Sequence, residues 1–391
     1  METDKKLKVL FLPRWYPHRG DSLYGLFVKR HAIAVSKYAD ISVLAVVLDK
    51  NNKQLYEVES QLSNGLTEII IYIKKHQSKI ILLNTIINTY RYITAHIAGW
   101  NILLQTDNKP DICHVNVLTR AGAMAFFFKK RYGIPYVITE HWSRYFEFND
   151  TYKGVLRKFI TKRIMNNATA MSTVSNALKE AMNARGLKHK KWEIIPNSID
   201  TIKFDIRPLE HNKDTIRCFH ISCFEEQSKN MSGIIRAFKD AVKVEPKLEL
   251  IMIGDGEHWQ QTVDIAKELG VEDKVIFTGT LENSDLTNMI DRCQFSILFS
   301  NYETFAIVIA ESLACGKPVI ATKVGAIPEV LPAEFGILIE PKDENALTNA
   351  IVEMAHNIDN YDADAMRNSV VEKYDAEQVG YQIFQFYKNA E

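Results

Sequence analysis

The chain has 391 residues, 46% of them apolar and 25% charged, and a formal net charge of zero. That length and apolar content exclude a disordered chain and supply about two or three domain cores, since a single core stops growing near roughly 250–300 residues. Five cysteines, an odd number with no Cys-x-x-Cys pair, exclude a disulfide scaffold and point to a reducing, cytosolic setting.

The zero net charge hides a division. Residues 1–205 hold 31 Lys/Arg against 17 Asp/Glu, a net +14, and the remainder holds 17 against 31, a net −14. A basic half suits an anionic partner such as a membrane leaflet, a phospholipid, a lipid-linked pyrophosphate or a nucleic acid; opposed charges also keep two lobes soluble and closable.

At the N-terminus a polar stretch leads into the apolar run Val9 to Leu12, stopped by Pro13; this is too short for a signal peptide and reads as a first buried strand. Further strand-like runs lie at 41–47, 68–73, 111–116, 136–140, 170–175 and 193–196, with helix-period stretches at 26–38 and 175–185. The greasiest stretch, Ile80 to Trp100, is interrupted by Asn84, Asn88, Arg91 and His96, so it falls short of the roughly 18 uninterrupted apolar residues of a membrane span and predicts an amphipathic helix. The polar stretch 200–215, with Pro208, reads as a linker. Beyond it, strands at 217–222, 248–254, 274–279, 294–300, 318–322 and 336–340 alternate with helices at 232–244, 285–293, 305–315 and 344–356. Continuous apolar strands separated by helices imply parallel sheets covered on both faces. The expected fold is therefore α/β, with two Rossmann-like, doubly wound domains at 1–205 and 206–375, facing across a cleft at the carboxyl ends of their strands.

The most informative segment runs from Ser300 through Glu303 and Glu311 to Gly316 and Pro318. It predicts a helix beginning near Thr304 and ending at Gly316, where a left-handed C′ residue is suited to glycine, with Pro318 barring continuation. The amides of Thr304, Phe305 and Ala306 then offer a site for a diphosphate or sugar hydroxyls. Glu311, two turns in, leans toward the same mouth and suits the two hydroxyls of a ribose. Glu303 suits the transferred sugar, where a carboxylate stabilises an oxocarbenium-like centre. By spacing alone, Glu303 reads equally as a helix cap and Glu311 as a solvated charge. Cys218, His220 and Cys223 match no common zinc spacing and read as part of a buried strand, and Asp362-Ala-Asp364 lies in a polar region unsuited to a divalent donor site.

This segment, together with Gly316-Lys-Pro-Val-Ile-Ala-Thr and Gly325-Ala-Ile-Pro-Glu329, closely resembles the Glu-x7-Glu region of retaining family-four GT-B glycosyltransferases. The resemblance covers most of the chain and is most specific between about 216 and 340. It implies that Glu303 lies at the donor sugar, the amides from Thr304 onward at sugar and phosphate, and Glu311 at the ribose. Phe219 to Asn230, with Ser222, Lys229 and Asn230, looks like the donor-phosphate loop, in which the lysine neutralises the diphosphate. Gly254 and Gly279, ending strand-like runs, look like residues that line the nucleotide. Pro17 to Gly25 resembles the family's closing first loop, with Arg14 and Gly25 as its residues here. His141 corresponds to a histidine near the sugar at the cleft rim, and Asn197 to a Pro-Asn turn ending the first domain. The final helix, within 376–391, is expected to pack back on the first domain. Relatives usually carry an arginine before the phosphate lysine, where Cys223 or Phe224 stands here.

The resemblance implies a metal-independent hexosyltransferase without a bound cofactor, using a UDP- or GDP-sugar as donor and a glycan or lipid-linked glycan as acceptor. The expected setting is envelope or capsular polysaccharide assembly, in the cytoplasm and peripherally on the inner membrane. Expected membrane contacts are Lys129-Lys130-Arg131 beside Met124 to Phe128, and Arg157-Lys158 with Lys162-Arg163. Alternatives are a sugar-nucleotide epimerase or phosphorylase on a similar scaffold, and a non-catalytic protein binding membrane or nucleic acid, though no nucleic-acid partner is expected. A nicotinamide enzyme is excluded by Phe11-Leu-Pro-Arg-Trp, which is no pyrophosphate turn.

Overall fold

A computed structural model describes residues 6–106, 109–149, 151–207 and 214–390. Pro208, in the expected linker, lies outside the described residues. The chain divides into two compact units, one of Met1–Val174, Lys179–Ser198 and Ala376–Glu391, the other of Ser175–Leu178 and Ile199–Asp375.

The first unit runs β1 (Lys8–Pro13), α1 (Leu26–Ser36), β2 (Asp40–Asp49), β3 (Tyr56–Ser63), β4 (Leu66–Lys74), α2 (Ile81–Gln105), β5 (Ile112–Asn116), α3 (Ala121–Tyr132), β6 (Tyr136–Glu140), α4 (Val155–Asn167), β7 (Ala170–Thr173), α5 (Asn176–Ala184) and β8 (Trp192–Ile194). Its sheet has the order β3-β4-β2-β1-β5-β6-β7-β8. All pairings are parallel except β3 with β4. The apolar runs of β1 and β5 are buried on both faces, as a strand inside a covered parallel sheet requires. Strand β3 is absent from the sequence reading because its polar, largely exposed residues belong to an antiparallel edge, which needs only one buried face. The long helix α2 is amphipathic in two halves: Ile81, Leu82 and Ile86 are exposed, whereas Ala95, Gly99, Trp100 and Leu103 are buried.

The second unit runs β9 (Ile216–Ile221), α6 (Glu226–Lys229), α7 (Met231–Val244), β10 (Leu248–Ile253), α8 (Trp259–Glu268), β11 (Val275–Gly279), α9 (Asn283–Asp291), β12 (Phe295–Leu298), α10 (Ile307–Ala314), β13 (Val319–Thr322), α11 (Ile327–Val330), β14 (Gly336–Ile339), α12 (Glu344–Asn357) and α13 (Ala363–Tyr374). Its six strands are all parallel, in the order β11-β10-β9-β12-β13-β14. Phe224, Phe238, Phe295 and Met354 belong to one buried core over this sheet. Asp362 caps α13 by accepting from the Ala365 amide at 2.9 Å, which is the structural work done by the Asp-Ala-Asp sequence.

The last helix, α14 (Ala376–Lys388), belongs to the first unit and packs on α1 so closely that a Cβ at Gly380 would meet the Ala34 carbonyl oxygen at 2.2 Å. Val379, Ile383 and Phe386 enter the first unit's core, and the Tyr387 hydroxyl lies 2.7 Å from His114 Nδ1. Among the described residues no helix is long and apolar enough to cross a membrane. The two sheets thus have the α/β class the sequence predicts.

Candidate functional site

In the second unit, strand adjacency assembles the chemistry. Because β10, β9, β12 and β13 are neighbours, the loops leaving their carboxyl ends lie side by side. The loop after β12 is tied to the loop after β9: the Asn301 amide donates to the Ser228 carbonyl at 2.8 Å, and Asn301 Nδ2 donates to the Gln227 carbonyl at 3.0 Å. This registration brings Lys229 Nζ into an ion pair with Glu303. The Ser300 hydroxyl also donates to Glu303 Oε1, at 3.0 Å. Burial alone would lower the Lys229 pKa, but the charge and hydrogen bond of Glu303 outweigh it and leave the net shift upward, so the ammonium stays protonated.

The loop's path depends on Gly325, which follows β13 with φ 52°. A Cβ there would meet the Glu303 carbonyl oxygen at 1.9 Å, so only glycine lets the two loops touch. The helix expected from Thr304 begins three residues later, at Ile307. Ala306 adopts a left-handed conformation (φ 61°), which turns the chain out of the helical path and makes 303–306 a turn. Phe305 points inward, its ring edge-on to Tyr374 at 5.3 Å, so it offers only its backbone. The amides from Thr304 to Val308 find no acceptor among the described residues. Gly316 takes the left-handed conformation after α10, φ 68°, as the sequence predicts. Glu311 is 6% exposed, which removes its reading as a solvated surface charge.

Of the other donor-side residues, Asn230 joins α6 to α7 in a left-handed conformation, and the Gly254 amide donates to the Gly279 carbonyl at 2.9 Å, linking the ends of β10 and β11. Ser222 Oγ bonds His220 Nε2 at 2.7 Å. At the place of the family's arginine, Phe224 is fully buried against Trp259 and Cys223 is exposed, so neither position supplies a cation.

In the first unit, the neighbouring strands β1, β5 and β6 end together and bring Arg14, the 116–120 loop and His141 side by side. Gly25, φ 70°, sits where a Cβ would meet the Trp15 carbonyl at 2.4 Å, which fixes the loop from Pro17 against the end of β1. His141 lies deeper than the expected rim, at 5% exposure, with Nε2 3.2 Å from Asn116 Oδ1 and its ring against Phe27 and His31. Burial drives its pKa well down, the imidazoles of His31 and His114 add to this, and Asn197 opposes it only in part. His141 is therefore neutral near pH 7 and brings no positive charge to the site.

Glu140 organises this region. Its carboxylate accepts from the Leu118, His141 and Trp142 amides at 3.0, 2.9 and 2.9 Å and from the Tyr145 hydroxyl at 3.3 Å. Sequence reasoning missed Arg120, Tyr24, Tyr92, Trp142 and Arg144, which surround Arg14. No local spacing announces them, because they come from separate loops and helices.

Of the expected membrane patch at 124–128, Met124 and Phe128 are core residues, 3% and 0% exposed, whereas Phe127 is exposed. Lys129 is engaged at the Asn167 carbonyl, 2.7 Å. Beside the expected cations Arg157, Lys158, Lys162 and Arg163, α4 exposes the apolar Val155, Leu156 and Phe159, 87%, 71% and 61% exposed.

Comparison with known proteins places this architecture in a class. The fold is that of the sucrose-phosphate synthase of Thermosynechococcus elongatus, with a TM-score of 0.77, 19% identity and 97% and 98% of the two chains covered. The Anabaena protein HepE in complex with UDP-glucose superposes with a TM-score of 0.72, 17% identity and 98% and 99% coverage. These likenesses define two parallel-sheet α/β units of the GT-B type.

Residues 201–369 match the family model for glycosyl transferases group 1, and residues 61–203 match that for glycosyltransferase family 4. The chain belongs to this family. The N-acetyl-alpha-D-glucosaminyl L-malate synthase of Bacillus anthracis is 29% identical over 163 residues, 41% of this chain. The chain spans 42% of that relative's length.

Proposed function

We propose that the protein is a retaining glycosyltransferase whose second unit holds a nucleotide-diphosphate sugar, UDP- or GDP-linked, and whose first unit holds a saccharide or lipid-linked glycan acceptor. The reading fits cytoplasmic assembly of envelope or capsular polysaccharide. What carries it is the Lys229–Glu303 pair lying in one loop cluster with the unengaged amides of 304–308. A diphosphate at those amides accepts from them and from Lys229, at about 1.5–3 kcal/mol per charge-assisted bond. Glu303 then orients a sugar hydroxyl or faces the anomeric carbon, and Glu311 takes the ribose hydroxyls. In the transfer, the bond from the anomeric carbon to the phosphate oxygen breaks and the bond to the acceptor oxygen forms on the same face. The acceptor's proton passes to the departing phosphate oxygen, so the step needs no protein nucleophile and no bound cofactor or metal. His141, a neutral imidazole with Nε2 on Asn116, lies near the sugar and can accept from a sugar hydroxyl.

A thermal-shift and hydrolysis panel of UDP-, GDP-, ADP- and TDP-sugars tests this. One base should raise the melting temperature of the wild type, and Glu311→Ala should remove most of the rise. If no nucleotide sugar stabilises the protein, or if Glu311→Ala responds as the wild type does, the donor reading fails.

The same proposal includes a peripheral contact with anionic membrane through α4, whose exposed Val155, Leu156 and Phe159 alternate with cationic side chains. Vesicles containing anionic lipid should retain the protein at low salt, and Leu156→Ser with Phe159→Ser should release it. Equal retention by neutral vesicles, or no loss in the double variant, would mean that α4 makes no specific contact with anionic membrane.

A further inference from the structure

The first unit contains a cavity of about 280 Å³ lined by Arg14, Arg120, Tyr24 and Tyr92, at the carboxyl ends of β1 and β2. Among the described residues its wall carries two guanidinium groups and no carboxylate. A third guanidinium, Arg144, lies close behind: Arg14 and Arg144 both stack on Trp142, with their guanidinium carbons 4.4 and 3.9 Å from the ring centre. Like charges gathered in a partly buried place repel, and they persist only where the fold holds them or an anion joins them.

Here the fold holds them and leaves part of their donor capacity unspent. Among the described residues none of the three arginines forms an ion pair. Arg14 gives Nη1 to Thr119 Oγ1 at 3.1 Å, and Arg144 gives Nη2 to the Thr151 carbonyl at 3.3 Å. The Nε atoms of Arg14 and Arg144 are buried with no acceptor among the described residues. Arg120 is itself exposed, at a left-handed φ of 62°, in a loop where Val117 has φ 71°. Such strain in two non-glycine residues persists only when surrounding bonds enforce it, and the Glu140 carboxylate does so by accepting the Leu118 amide between them. Tyr24 and Tyr92 add two hydroxyl donors to the same wall.

We infer that this cavity binds a phosphate or diphosphate group of the acceptor, with Arg14 and Arg120 as its cations and Tyr24 and Tyr92 as neutral donors. The inference deepens the acceptor half of the proposed function and rests on it for the word acceptor. Anion binding itself does not depend on that function. Two planar guanidinium forks and two hydroxyls match a tetrahedral oxyanion, whereas an uncharged saccharide would leave the cations unpaired.

The test measures binding of inorganic pyrophosphate by calorimetry in a Lys229→Ala background, which disables the proposed phosphate site of the second unit. Binding should persist in that background, and Arg120→Gln should weaken it about 10- to 100-fold, the loss of one charge-assisted contact. Tyr92→Phe should weaken it less. Arg120 is exposed, so its variant should fold; circular dichroism and the melting temperature confirm this for each protein. Farnesyl diphosphate in parallel separates the sources: tighter binding than pyrophosphate supports a lipid-linked acceptor, and equal binding supports a water-soluble phosphorylated one. The inference is overturned if Lys229→Ala alone abolishes pyrophosphate binding, or if folded Arg120→Gln and Arg14→Gln proteins bind it as tightly as their parent. Failure of the nucleotide-sugar panel with pyrophosphate binding intact would remove the donor reading and leave this site standing.

Discussion

The two units solve one problem in different ways. In the second, the candidate site residues Glu303 and Glu311 lie on one strand-turn-helix segment, with Lys229 one strand away in the sheet. In the first, Arg14, Arg120 and His141 come from three strand ends and Tyr92 from a helix that precedes two of them. The first unit also buries His31, His96, His114 and His141, where the second buries His220 alone among the described histidines. A site on one continuous segment tolerates a plain scaffold, whereas a site gathered from many loops is surrounded by buried polar side chains that fix those loops.

The largest expected consequence is acid sensitivity. Burial lowers the pKa of His31 and His96 to about 4 and that of His114 to about 3, from an ordinary 6.5. The unfolded chain takes up these protons below pH 6.5 and the folded chain does not, so stability is full above that pH and falls as pH drops toward 4. Each such histidine contributes a loss of about 1.4 kcal/mol per pH unit in that window. The first unit should therefore melt at higher pH than the second, in which, among the described residues, His220, lowered to about 4, is the buried histidine that acts in this way. Trp259 is the one tryptophan of the second unit. Fluorescence of a Trp259→Phe variant then reports the first unit, and hydrogen exchange reports both. Coincident transitions, or none between pH 6.5 and 4, would break the comparison.

Next in size is the loss of catalysis. Glu303→Gln should lower kcat roughly 10²- to 10³-fold, the scale for removing one group that stabilises transition-state charge. It should also destabilise the second unit, because Lys229 then stays largely buried without its counter-charge. Lys229→Met combined with Glu303→Gln should recover much of that stability and none of the activity. If the double variant melts below both single ones, Lys229 and Glu303 do not act chiefly on each other.

How much of this was legible in the sequence follows the same division. The α/β class, most strands and the second unit's carboxylates are written in local pattern: apolar runs, a helix stop at Gly316 and the spacing of Glu303 and Glu311. The start of α10 was misplaced because nothing in Thr304-Phe305-Ala306 signals a left-handed turn; Gly325, distant in sequence, imposes the path by its contact with the Glu303 carbonyl. Strand β3 was missed because an exposed antiparallel edge lacks an apolar run. Arg120 and Tyr92 were illegible because their meeting with Arg14 depends on strand order, which no local window contains.

The two glycines that seat the loops sharpen the contrast further. Gly325→Ala and Gly25→Ala should each cost about 1–3 kcal/mol, since each must move a backbone carbonyl or abandon its conformation. Their functional effects should separate. Gly325→Ala should diminish the nucleotide-induced thermal shift and spare pyrophosphate binding measured in the Lys229→Ala background, and Gly25→Ala should do the reverse, because Trp15 adjoins Arg14. Matching losses in both assays for either variant would mean that the two sites are not independent.

The smallest expected effect concerns the charges that dominate the composition. Lys37 and Glu377 pair at 3.1 Å in the first unit with side chains 58% and 64% exposed, and Lys243 and Asp240 pair at 2.6 Å in the second with 64% and 55% exposed. Water and salt screen such pairs, and side-chain ordering offsets much of the attraction, so each contributes about 0–1 kcal/mol. Lys37→Gln and Lys243→Gln should shift the melting temperature slightly and equally, and added salt should erase the difference from wild type. A larger loss confined to one unit would mean that its surface charge serves stability. Equal and negligible losses would leave the basic excess of the first half with a different use, in which unpaired cations such as Arg14 and Arg120 meet an anion from outside the chain.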